Sequence, residues 1–146
     1  MSIDLVKGFV DAVTDQNSVA QYAVGAKRFQ NGKTYEYIQA NATITANQAV
    51  QIDTVDNKGN KVIPTAAAGD LVFGVAEIAV TSGNFFWCTT RGAAISCKIL
   101  TATTVKGLLG ATSTAGVLGI VSTVDARGYA LEAGAATNLA KNIQLF

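Results

Sequence analysis

The chain has 146 residues, a formal net charge of +1, no histidine, one proline, two cysteines, 49% hydrophobic residues and 14% charged ones. A single domain of this size buries roughly 70% of its unfolded surface and needs neither disulfide nor metal for a core. Without histidine, His-based triads and His-ligated zinc or iron are excluded; the scattered basic residues offer nothing to nucleic acid or an anionic membrane, and the low charge implies surface that faces protein.

Ile3, Val6, Val10 and Val13 recur at helical spacing, with Leu5 and Phe9 adjoining, behind a Ser2 N-cap, so a short amphipathic helix is expected there. A helix of about three turns is marginal alone, and Gly8 weakens it, so the stripe needs a surface to pack on and is the candidate partner contact. Residues 1–26 therefore read as an N-terminal arm and 27–146 as a β domain. Asp4, Lys7 and Asp11 interrupt the apolar run that a secretory signal requires, and no apolar stretch approaches the roughly 18 residues of a membrane span. A soluble product made in the cytoplasm is expected.

After the arm the period changes to two. Lys27–Gln30 and Thr34–Ala40 flank Asn31-Gly32, which suits a type I′ hairpin. Ala49–Val55 alternates, and Asp53, Asp56 and Asn57 then read as an Asx-type turn, because the other ligands of an EF-hand loop are missing. Lys61–Pro64 follows, with Pro64 at a strand end or sheet edge. Leu71–Val80 and Asn84–Thr90 read as strands around a Thr81-Ser82-Gly83 turn. Alternation places Phe85 and Trp87 on one face and Phe86 and Cys88 on the other, so both faces require cover. Ala93–Leu100, Gly116–Val121, Tyr129–Ala133 and Asn142–Phe146 complete a set of short strands with no exact internal repeat. The expected fold is all-β, a small compact barrel or sandwich.

Little of this carries chemistry. Cys88 and Cys97 flank an expected turn at Gly92-Ala93 that would set them opposite each other across a hairpin; in the cytoplasm two free thiols, packed as small apolar groups, are favoured over a disulfide. Neither a Cys-His pair nor a tetrahedral zinc site can be assembled from them. Gly107, Gly110, Gly116 and Gly119 lack the Gly-Lys-Ser/Thr of a phosphate loop and read as turns and close crossings. Glu77 has no second group for acid–base work and reads as outward-pointing or paired with a base. Lys27, Arg28 and Lys33 form a small basic cluster, either solvated turn charge or a contact to an acidic protein surface. No catalytic, metal or cofactor residue is assigned, and no cofactor is expected.

Three segments in order are Gly25-Ala26-Lys27-Arg28-Phe29 with Asn31-Gly32-Lys33 and Tyr35–Asn41; Ile44–Val50; and Phe73-Gly74-Val75-Ala76 with Phe86–Gly92. Together, over about residues 25–146, they resemble bacteriophage capsid decoration proteins, also called cement or head-stabilising proteins, of the small β-barrel or β-tulip kind. The resemblance implies a non-enzymatic virion subunit that binds the outside of an icosahedral head and clamps adjacent major capsid protein subunits, often as a homotrimer at local three-fold positions. Lys27, Arg28, Phe86 and Arg91 are candidate partner or subunit contacts; nucleic acid and membrane are not expected partners. The alternative is a phage fibre or carbohydrate-binding β module, with Trp87, Tyr35, Tyr37 and Phe86 stacking on sugars.

Overall fold

The computed structural model describes residues 11–53, 55–61, 72–100, 103–112, 114–120, 126, 128–134 and 139–146. They form β1 (Gln16–Asn17), β2 (Lys27–Gln30), β3 (Lys33–Ala40), β4 (Gln48–Ile52), β5 (Lys58–Lys61), β6 (Val72–Ala76), β7 (Phe85–Ile99), β8 (Leu108–Ala111), β9 (Leu118–Ile120), β10 (Gly128–Ala130) and β11 (Leu139–Leu145). The fold is all-β, with no helix among the described residues. The helix expected at the N-terminus lies outside them as far as Val10, and Asp11–Val13 run through a bend and a turn. Pro64 also lies outside them.

Local chemistry sets several turns as expected. Asn31 and Gly32 take φ of 52° and 74°, the left-handed pair that a type I′ turn between β2 and β3 requires. Asp53 Oδ1 accepts from the Val55 amide at 2.8 Å and Asp56 Oδ1 from the Lys58 amide at 3.1 Å, the Asx turns that join β4 to β5.

The expected turn at Gly92-Ala93 does not form. Strand β7 runs unbroken for 15 residues. A Cβ at Gly92 (φ 128°) would come within 2.9 Å of the Gly32 carbonyl, so this glycine serves a close crossing with the β2–β3 hairpin instead of a reversal. Cys88 and Cys97 therefore sit on one strand and belong to two different cores.

The pairings close into two rings that share β7. In the first, β3 runs parallel to β5, β5 pairs antiparallel with β4, β4 with β6, β6 with β7, and β7 returns to β3. In the second, β7 runs parallel to β9, β9 pairs antiparallel with β8, β8 with β10, β10 with β11, and β11 returns to β7. Order and direction match strand for strand, and the register does too. Moving 59 residues along the chain takes Ala40–Gly59 onto Ile99–Leu118 and Val50–Lys61 onto Leu109–Ile120. Ala49–Val75 corresponds to Leu108–Tyr129, and Tyr37–Trp87 to Ser96–Asn142. The left-handed residues coincide as well: Asn47 (φ 64°) with Lys106 (φ 62°), and Asn57 (φ 53°) with Gly116 (φ 77°). So does a loop bond, Asn47 N donating to Ala76 O at 2.7 Å and Lys106 N to Ala130 O at 2.8 Å. The chain is thus a structural tandem repeat, although its residues carry no exact repeat.

Alternation then sorts the side chains. Ile38, Ile44, Val50, Ile52, Ala76, Phe86 and Cys88 fill the first ring; Ile95, Cys97, Ile99, Leu109, Leu118, Ala130, Ile143 and Leu145 fill the second. Each fully buried large apolar side chain contributes roughly 1.5–3 kcal/mol. Matching glycines bring the last strand of each ring close. A Cβ at Gly74 would strike the Cys88 thiol and approach the Thr89 carbonyl, and one at Gly128 would strike the Gln144 carbonyl.

Candidate functional site

The arm is tied to the outer face of the first ring by one carboxylate. Tyr37 of β3 lies opposite Trp87 of β7, and Tyr35 and Phe85 extend the same face by alternation. Tyr22 stands edge-on to Tyr37 (5.2 Å, 88°) and 5.4 Å from Trp87, whose ring is 4.9 Å from Tyr37. Asp11 lies over this cluster. Its Oδ2 accepts from Trp87 Nε1 at 3.1 Å and its Oδ1 from the Tyr22 hydroxyl at 2.7 Å. Arg28 Nη1 donates to the Asp11 carbonyl at 2.9 Å and lies 3.4 Å from Oδ1, while its guanidinium sits 5.6 Å over the Trp87 ring. Charge-assisted bonds of this kind, largely shielded from water, are the stronger class.

Further along, β1 pairs with β7 through Gln16–Phe86 and Asn17–Phe85. The Gln16 side chain donates to Ala79 O at 3.0 Å and accepts from the Thr81 amide at 3.0 Å and from Asn84 Nδ2 at 2.9 Å. Gly25 N donates to Tyr37 O, and Tyr37 N to Ala26 O. Residues 11–26 are therefore sewn onto the ring.

Beside the aromatic cluster, Lys33 Nζ lies 3.0 and 3.1 Å from the two Glu77 oxygens, and the Thr89 hydroxyl donates to Glu77 Oε1 at 2.7 Å. This is the basic partner expected for Glu77. Val13, Thr14, Tyr35, Glu77, Ile78, Trp87 and Thr89 line a cavity of about 70 Å³, room for water and far below a substrate pocket. Burial, with Glu77 adding to it against Arg28, raises the Tyr35 phenol above its usual range.

Facing Cys88 across the strands is Glu36, 8% exposed, whose carboxyl burial raises against the pull of Lys27. Both thiols are free and buried, as expected. Burial holds Cys88 well above the ordinary thiol range, helped by Glu36, and pushes Cys97 up to about 12, so neither is a nucleophile at neutral pH. Among the described residues no group of Cys, Asp and Glu is placed to hold a metal ion.

The candidate contacts divide. Ile3, Leu5, Val6, Phe9 and Val10 lie outside the described residues, while Val13 packs against the aromatic cluster. Lys27 and Arg91 are exposed. Arg28 is committed to Asp11. Phe86 is wholly buried in its own ring, so its expected role as a partner contact is corrected: alternation turns it inward, opposite Ile38. Tyr35, Tyr37 and Trp87 are at most 6% exposed and present no open stacking platform. The reading of the residues missed Asp11, whose one signal was an acidic interruption of an apolar stripe, and Phe29, 79% exposed at the β2 edge. The chain matched no family model and no curated protein.

Proposed function

We propose that the chain is a non-enzymatic structural subunit of a phage virion that attaches, as an oligomer such as a homotrimer, to the outer surface of an icosahedral head. Its N-terminal stripe clamps neighbouring major capsid protein subunits. The observation that carries this reading is the anchor at Asp11. An apolar stripe interrupted near its end by a residue locked to Trp87, Tyr22 and Arg28 transmits any load on it to a closed ring of strands. Low charge supports the same reading, because charge is depleted at the centre of protein interfaces. So does the cavity beside the cluster, too small for a substrate. The buried aromatic face weighs against a saccharide module.

The test is co-sedimentation with shells assembled from phage major capsid protein. Stoichiometric binding is expected, and removal of residues 2–10 should weaken it at least tenfold while leaving the fold intact. The deletion stops at residue 10 because Asp11 and β1 hold the arm on the ring. Absence of binding, or equal occupancy without residues 2–10, defeats the proposal.

A further inference from the structure

A sheet that closes on itself has no free edge, and both rings are closed. Among the described strands only β1 and β2 have a neighbour on one side alone, and β1 spans two residues. Strand β2 also lies outside the repeat. Moving 59 residues along from Lys27–Gln30 reaches Phe86–Thr89, which closes the first ring against β3, so the second ring has no such strand. Among the described residues the open edge of β2 is thus an addition to an otherwise closed design.

The register fixes which backbone groups that edge offers. Gln30 and Lys33 flank the two-residue turn as a bonded pair, and bonded pairs alternate with unbonded ones. Arg28 therefore bonds Tyr35, while the amides and carbonyls of Lys27 and Phe29 point away from β3; among the described residues no backbone bond from outside the hairpin reaches them. The edge is also held in place. Arg28, turned to the opposite face, is fixed by Asp11 and Trp87, and Gly92 of β7 lies against the Gly32 carbonyl at the turn. A preset edge spares an incoming strand much of the ordering cost of association.

The side chains beside those groups select the occupant. Phe29 is 79% exposed and Lys27 is exposed beside it, while Thr34 lies between Phe29 and Arg91, also exposed, in a row across three strands. Neither Lys27 nor Arg91 makes an ion pair among the described residues, and the carboxylates around them are engaged or covered: Glu77 by Lys33, Asp11 by Arg28, and Glu36 only 8% exposed. A lysine guards an edge against its like, because a second β2 would bring ammonium against ammonium. We infer that the β2 edge takes up an extended acidic segment of a partner protein as an added strand. Its backbone bonds the free groups of Lys27 and Phe29, an apolar side chain covers the Phe29 ring, and its carboxylates meet Lys27 and Arg91.

Such a segment is recognised by its backbone and its charge, whatever assembly carries it, so the test uses the full chain free in solution. The probe is a blocked octapeptide of alternating Glu and Val, titrated into isotope-labelled protein. Saturable binding with a Kd of about 1 mM or tighter is expected, with amide shifts centred on Lys27 and Phe29. The same peptide with Lys in place of Glu should bind at least tenfold more weakly. Phe29→Pro removes one outward amide and no hairpin bond, and should weaken binding at least tenfold; Lys27→Glu keeps every backbone group and should erase the preference for the acidic peptide. Should Phe29→Pro fail to fold, Lys27→Glu and the two peptides still decide. No saturable shift, shifts centred elsewhere on the molecule, or equal affinity for the basic peptide overturns the inference. A chain that takes the peptide and binds no shell keeps this edge and loses the proposed function.

Discussion

The two rings share every strand pairing and differ in what their faces carry. At equivalent positions the first has Tyr37 and Trp87 where the second has Ser96 and Asn142, and Glu36 with Cys88 where the second has Ile95 with Ile143. The first ring is roofed by residues 11–26 and holds a buried carboxyl; the second is aliphatic within and polar on the matching outer face. The backbone requirements kept in both rings are the left-handed pairs Asn47 with Lys106 and Asn57 with Gly116, and the close crossings at Gly74 and Gly128. The outward residues are free to specialise, and in the first ring they have become the seat of the arm.

The comparison is broken most severely by substituting its aromatic pillar. Trp87→Ala removes a buried indole and should cost about 3–5 kcal/mol, whereas Asn142→Ala, its exposed counterpart, should change stability by less than about 0.5 kcal/mol. Equal effects in urea unfolding would show that the faces do not differ as described. Next come the paired glycines. Gly128→Ala drives a methyl into the Gln144 carbonyl, which cannot yield, and should cost up to about 3 kcal/mol. Gly74→Ala meets the Cys88 thiol first, so Cys88→Ala should relieve part of its cost, measured in a double-mutant cycle.

Asp11→Ala should lose about 2 kcal/mol and expose the arm to limited proteolysis ahead of the domain; cleavage at wild-type rates would remove Asp11 from the role of anchor. The smallest effect sharpens the contrast within the cores. Burial raises the Glu36 carboxyl in the folded state, so folding favours its protonated form. That contribution is present below the ordinary carboxylate range and is lost as pH rises through the raised value. Glu36→Gln should therefore raise the melting temperature at pH 7 and do little at pH 4; a gain independent of pH would assign the effect to packing instead.

Local signals in the residues were faithful where the chemistry is local. Asn31-Gly32 dictates its turn, Asp53 and Asp56 theirs, and alternation from Phe85 to Cys88 correctly required two covered faces. Gly92 misled because a glycine needed for tertiary approach and one needed for a turn look alike in a sequence. Strand β8 is hidden for the same reason, since Gly107 and Gly110 flank its leucines and read as turns or close crossings. The repeat is hard to read from the residues because equivalent positions share backbone requirements and few side chains; Gly74-Val75-Ala76 and Gly128-Tyr129-Ala130 are a short echo of it. The anchor was illegible because Asp11 and Trp87 are joined only by the completed fold.

Strand β7 also orders events in time. During synthesis, every strand of the first ring has been made once the chain reaches Arg91, so that ring can close before the second begins. The residues that follow, from Gly92 to Ile99, then leave it already extended, as a preset edge on which the later strands assemble. The second ring begins with its first strand fixed, which lowers the loop-closure entropy of its first pairing. Folding should run from the N-terminus, and a nick at Gly92 should unravel the later half first.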